Sequence, residues 1–128
     1  CALPILLKKL SSLFTEIVGD KGYCVRYGGD EFIIVLPGSS TEFGIKISKQ
    51  IYKKIEENGY FINDIANALK RPIEIDAQHR ISCSIGISTS QKYNQESIME
   101  CLKHADSALY DIKKGTKHDF KVWQKVQK

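Results

Sequence analysis

The chain has 128 residues, 42% apolar and 27% charged, with a formal charge of +4; that describes one soluble globular domain, too apolar for a disordered chain and too short for two independent cores. Its longest apolar runs, Ala2 to Leu7 and Phe32 to Pro37, have six residues each, against the roughly 18 that a membrane span needs, so no span is expected. All the excess charge sits in residues 103–128, with seven Lys against three Asp, and without an aromatic-basic repeat it reads as a solvated face rather than a nucleic-acid surface.

Leu6, Leu7, Leu10, Leu13, Phe14, Ile17 and Val18 recur at three and four, which predicts an amphipathic helix over 4–18, with Pro4 tolerable in its first turn. Gly19 and Gly22 end it. Tyr23 to Tyr27 and Glu31 to Leu36 are rich in β-branched and aromatic residues, so they predict a hairpin around Gly28-Gly29-Asp30. Pro37-Gly38 closes its second strand. Thr41 is the expected cap of a helix running to about Asn58, with Ile47, Ile51 and Ile55 at four-residue spacing, and a shorter helix covers 62–69 until Arg71-Pro72 stops it. Ile73 to Asp76 and Arg80 to Thr89 predict a second hairpin around Ala77-Gln78-His79. Ile98, Cys101, Leu102, Ala105, Leu109 and Ile112 mark a last long helix, ending near Gly115 before a short strand from Phe120 to Trp123. Helices interleaved with hairpins place the chain in the α/β class as an α+β sandwich. A mostly antiparallel sheet flanked by helices is expected, and a doubly wound parallel sheet is disfavoured.

Cys1, Cys24, Cys83 and Cys101 have no CxxC spacing, and three of them sit in apolar segments, which is the usage of reduced, packed thiols in a cytosolic compartment. The chain starts at Cys1 with no charged leader, as a piece of something longer would. His79, His104 and His118 lack metal-ligand spacing and read as surface or packing residues.

Arg26-Tyr27-Gly28-Gly29-Asp30-Glu31-Phe32 is the most informative stretch. Two glycines at a strand-to-strand turn can adopt positive φ and keep side chains out of the way of an incoming group. Asp30 and Glu31 follow at once, and on an extended backbone they point to opposite faces, so one can hold a divalent cation while the other serves the other side. An ordinary solvated hairpin turn has the same composition. Lys113 and Lys117 lie four apart at the end of the last helix, where the helix dipole favours cations even without a ligand and where both could neutralise one triphosphate.

Arg26 to Phe32 also spells the RYGGDEF signature, and the chain resembles the GGDEF family, the bacterial diguanylate cyclase domains. ISCSIGIS from Ile81 looks like the family's later core strand, and ADSALYDIKK from Ala105 to Lys114 looks like its last helix, all three in family order from about residue 3 to the end. The resemblance implies a ferredoxin-like, nucleotidyl-cyclase-like fold and one GGDEF domain over 1–128, truncated at its N-terminus. It implies condensation of two GTP into cyclic di-GMP with release of two pyrophosphates, at a site shared by two facing domains of a homodimer. Gly28 and Gly29 would face the phosphates, Asp30 would coordinate Mg²⁺ (or Mn²⁺), Glu31 would be an acidic partner in metal binding or catalysis, and Lys113 and Lys117 match phosphate-contacting positions. Lys117 stands where the family more often has Arg, which keeps the charge but loses bidentate geometry.

Three positions depart from the family pattern. The family's first strand, with its Asp-x-Asp metal motif and Asn-Asp pair, does not precede Cys1. Its Gly-Asp at the start of the first helix falls on Leu3-Pro4, so a guanine contact is absent. Its product-inhibition RxxD falls on Gly19-Asp20-Lys21-Gly22, so inhibition through that site is not expected. In the resembling fold that first strand is central, and without it the faces carrying Ile33, Val35, Ile85 and Ile87 should lose cover. The expected parent is a cytoplasmic signalling protein with an upstream sensory or regulatory domain, itself free to be membrane-anchored. The alternative is a degenerate module that binds nucleotide or a protein partner without catalysis.

Overall fold

The computed structural model describes residues 3–76, 80–90, 97–113 and 119–125. The chain divides into two compact units, Cys1–Gly38 with Lys49–Ile81, and Ser39–Ser48 with Ser82–Lys128.

In the first unit, helix α1 (Leu3–Val18) buries Leu7, Leu13, Phe14 and Val18, the apolar stripe that the three-four spacing defines. Gly19, at φ +55°, turns the chain into a short 3₁₀ segment. Strands β1 (Tyr23–Gly28) and β2 (Glu31–Val35) then pair antiparallel, Tyr23 opposite Val35 and Arg26 opposite Phe32. Phe32 meets Phe14 of α1 edge-on, with ring centroids 5.1 Å apart. That contact fixes which face of the ribbon packs, while Tyr23, Val25 and Tyr27 are exposed. A Cβ on Gly22 would lie 2.1 Å from the Val35 carbonyl oxygen, so only glycine lets the chain enter β1 this close to the end of β2.

Helix α2 (Thr41–Glu57) contributes its later turns to this unit, with Ile51 and Ile55 almost wholly buried. Gly59, Tyr60 and Phe61 follow in succession at positive φ, +59°, +55° and +58°, an uncommon conformation for bulky residues. It is held by the burial of Phe61 and by Arg80 over the Tyr60 ring at 5.0 Å. Helix α3 (Ile62–Leu69) ends in a left-handed Lys70 and carries Asp64, which meets Lys9 of α1 at 3.5 Å.

The second unit opens with the N-terminus of α2. Its cap is Ser40, whose Oγ accepts from the Phe43 N–H at 3.2 Å, and not Thr41, whose hydroxyl instead lies 2.6 Å from that of Thr89. Strand β3 (Ile85–Ile87) pairs parallel with β4 (Phe120–Val122), Gly86 opposite Lys121. Helix α4 (Ile98–Lys113) packs on β3 so closely that a Cβ on Gly86 would come 2.0 Å from the Ala105 carbonyl oxygen. A reciprocal capping box starts this helix: Ser97 Oγ accepts from the Glu100 N–H at 3.1 Å and Glu100 Oε2 accepts from the Ser97 N–H at 3.0 Å. His104 stacks on Trp123, ring centroids 3.6 Å apart, so it is a packing residue, as expected; His79 and His118 lie outside the described residues.

The fold class stands: small sheets with helices against them, an α+β arrangement. The second hairpin does not form. Residues 73–76 and 80–84 are in no strand, and Ile85–Ile87 takes its ladder bonds from Phe120–Val122, with the Trp123 N–H donating to the Ile87 carbonyl at 2.7 Å. A turn sequence without Gly or Asn lacks the residues tight hairpins favour, and its centre, 77–79, lies outside the described residues. Among the described residues β2 and β3 each pair with one strand, and Ile33, Val35, Ile85 and Ile87 are half-buried. Among the described residues Cys24, Cys83 and Cys101 form no disulfide and are partly buried, and Cys1 lies outside the described residues.

Candidate functional site

The turn joining β1 and β2 is tighter than a loop of Gly28-Gly29-Asp30. Register runs from Arg26–Phe32 to Gly28–Glu31, so Tyr27 is the extra residue of a β-bulge and only Gly29 and Asp30 form the loop. Gly29 has φ +54° and Asp30 is not in the positive-φ region, the φ pattern of a type II′ turn, which places glycine first. The two glycines thus have different reasons. Gly29 is required by its backbone. Gly28 has no positive φ, and a Cβ there would meet nothing within 4 Å, so the fold of this domain leaves its bareness unexplained.

All six residues from Arg26 to Glu31 are exposed. Asp30 occupies the second loop position and Glu31 opens β2 opposite Gly28; among the described residues neither carboxylate has a hydrogen bond or ion pair. Arg26 is committed: its Nε and Nη2 donate to the Gly29 carbonyl oxygen at 3.0 and 2.7 Å. Sequence reading missed this contact, because the bulge that permits it leaves no local signal. No group of three or more His, Cys, Asp or Glu able to hold a metal occurs among the described residues. Two adjacent carboxylates still suit Mg²⁺, which usually takes one or two protein carboxylates and completes its shell with water and substrate phosphates.

The structure brings Gly28, Gly29, Asp30 and Glu31 into one turn. Lys113 is the last residue of α4, but its side chain and the whole of Lys117 lie outside the described residues. Of the thiols, burial pushes Cys83 up to about 11 and Cys24 upward from 9.0, which leaves both protonated at neutral pH and unsuited to nucleophilic work. No helix among the described residues is long and apolar enough to cross a membrane.

An exposed, glycine-led hairpin turn carrying two carboxylates, on an α+β domain, is what the resemblance to the nucleotidyl-cyclase-like GGDEF domains implies. The chain belongs to the GGDEF domain family: the family model described as "Diguanylate cyclase, GGDEF domain" matches residues 5–119. Among curated relatives it is 32% identical over 122 residues to the signaling protein YkoW of Bacillus subtilis, covering 94% of this chain and 13% of that protein. It is 28% identical over 106 residues to a diguanylate cyclase of Vibrio cholerae, covering 83% and 28% respectively. With the diguanylate cyclase DosC of Escherichia coli it shares 26% over 119 residues, covering 93% and 23%. The chain therefore spans between about an eighth and somewhat over a quarter of the lengths of these relatives. No solved structure gives a significant match.

Proposed function

We propose that this domain is the catalytic half-site of a diguanylate cyclase, which condenses two molecules of GTP into cyclic di-GMP and two pyrophosphates when two such domains face each other. The observation that carries the reading is Gly28: bare, exposed, unconstrained by φ or by packing, and followed within three residues by two unpaired carboxylates. A position that the fold would let carry a side chain, yet which carries none, fits the close approach of a ligand to the backbone.

In this reading the triphosphate lies along the Gly28–Gly29 turn, where side chains are absent and backbone N–H groups can meet phosphate oxygens. Asp30 would hold Mg²⁺, with Glu31 beside it, and that cation would supply charge stabilisation at the phosphoryl oxygens. Glu31, the acidic partner in metal binding or catalysis, would accept the proton of the attacking 3′-hydroxyl. That oxygen forms a bond to the α-phosphorus of the facing nucleotide as the bond to the pyrophosphate oxygen breaks, and repeating the step with roles exchanged closes the ring. Lys113 and Lys117, which match phosphate-contacting positions of the family, would supply charge to neutralise the phosphates. Each domain orients one nucleotide, so positioning and electrostatics carry the reaction.

The test is GTP turnover with Mg²⁺ by the full-length protein, with the product identified chromatographically, for the natural sequence and for Asp30→Ala. Cyclic di-GMP from the former, and a loss of at least a hundredfold in a folded variant, is the expected result. Tight GTP binding without any product would instead establish the non-catalytic nucleotide-binding module, a reading favoured by Leu3-Pro4 standing where a guanine contact is expected.

A further inference from the structure

Arg26 is the residue of the turn whose chemistry is spent inside the protein. Its guanidinium, always charged and presenting its donors in a planar fork, places two of them on one acceptor, the Gly29 carbonyl oxygen, at 3.0 and 2.7 Å. A side chain reaching for solvent or for an anion would leave those donors outward. This one folds back onto its own hairpin, at an exposed position where water competes freely.

The acceptor decides what the contact does. The Gly29 carbonyl and the Asp30 N–H belong to one rigid trans peptide and point in opposite directions. Fixing the oxygen on Arg26 therefore aims the Asp30 N–H away from the guanidinium, and it fixes the plane from which the Asp30 Cα–Cβ bond departs. Without the clamp no ladder hydrogen bond holds that peptide. It lies between the two loop residues, one of them a glycine with φ of either sign open to it, and it is outside the β1–β2 ladder. A cation on the carbonyl also polarises the peptide and strengthens its N–H as a donor. Arg26 is itself anchored. It stands opposite Phe32, whose ring meets Phe14 of α1, so the clamp joins the packed end of the ribbon to its tip.

We infer that Arg26 is a positioning residue of the nucleotide site: it holds the Gly29–Asp30 peptide so that the Asp30 N–H meets a phosphate oxygen and the Asp30 carboxylate meets the metal, while touching neither itself. The inference rests on the reading of this turn as the triphosphate site. It assigns the arginine an action through the peptide plane, where a basic residue beside such a turn would otherwise be taken for a direct phosphate ligand.

Two measurements on the same variants test it. With ¹³C-carbonyl glycine and ¹⁵N aspartate, the only peptides of this sequence giving a coupled signal are Gly19–Asp20 and Gly29–Asp30, the first serving as an internal control. Arg26→Ala and Arg26→Lys should both move the Asp30 amide and leave Asp20 in place. In the full-length protein both should lower kcat for Mg-GTP at least tenfold with KM changed less than threefold, because orientation and not ground-state binding is lost. Lysine, with the charge but not the fork, should not rescue. An Asp30 amide unmoved in Arg26→Ala overturns the clamp. Full turnover in Arg26→Lys, or a loss confined to KM, overturns positioning in favour of plain charge. If the natural protein makes no cyclic di-GMP, the proposed function fails, and the amide measurement still decides whether the clamp exists.

Discussion

At the residue scale the two glycines of the turn separate structure from function, because the backbone needs only one of them. Gly29 at φ +54° lies where a side chain is strained, so Gly29→Ala should cost about 1–2 kcal/mol, read from the shift in urea midpoint. Gly28→Ala has open space around it and should leave the midpoint within about 0.5 kcal/mol, yet, on the proposed function, lower GTP turnover at least tenfold, since the new methyl would stand where the triphosphate is proposed to lie. A Gly28→Ala protein of full activity would show that nothing comes close to that backbone. Cys83 offers a second residue-scale outcome. Its thiol is held at about 11 by burial against 9.0 when exposed. Between those values the unfolded state binds fewer protons than the folded one, so stability is flat below pH 9, falls as pH rises from 9, and levels off above 11. The loss is at most about 2–3 kcal/mol. Urea midpoints at pH 8 and pH 10.5 should diverge in the natural protein and diverge less in Cys83→Ala.

At the scale of elements, legibility followed how local the deciding interaction is. Helices α1, α2, α3 and α4 were readable because leucines, isoleucines and phenylalanines at three-four spacing meet their partners within the same helix turn or the next. The first hairpin was readable because Gly-Gly-Asp is turn chemistry in itself, although the bulge at Tyr27 and the Arg26 clamp were not, since both depend on register. The second hairpin failed for the same reason. Isoleucines 73 and 75 alternate as a strand would, but the partner of β3 lies more than thirty residues on, at Phe120–Val122, and no local pattern announces a parallel pairing. What marks that junction is Gly86, which admits the backbone of α4 at Ala105. Gly86→Ala should destabilise by about 1–3 kcal/mol, as overpacking does. Thermal melts that match the natural protein would mean α4 can slide off β3 without loss.

At the scale of the whole molecule, the proposed function makes one hairpin turn with two carboxylates half of a cyclase site. The reaction joins two nucleotides through two equivalent bonds, so each 3′-hydroxyl needs an α-phosphate delivered by a second, equivalent surface. Among the described residues there is one such turn, with no cluster of three metal-ligating side chains. On the proposed reading two copies have to meet, and turnover acquires the order of that encounter. If this chain is the catalytic half of a homodimer, the initial rate of cyclic di-GMP formation should rise with about the square of protein concentration at dilutions where the monomer prevails, and linearly once dimers saturate. Adding Asp30→Ala protein to a fixed amount of natural protein should then lower the rate through mixed dimers, whereas a self-sufficient monomer would be indifferent to it. A rate linear in protein over the whole range, with no response to the added variant, would mean that one copy forms both bonds and that the half-site reading is wrong.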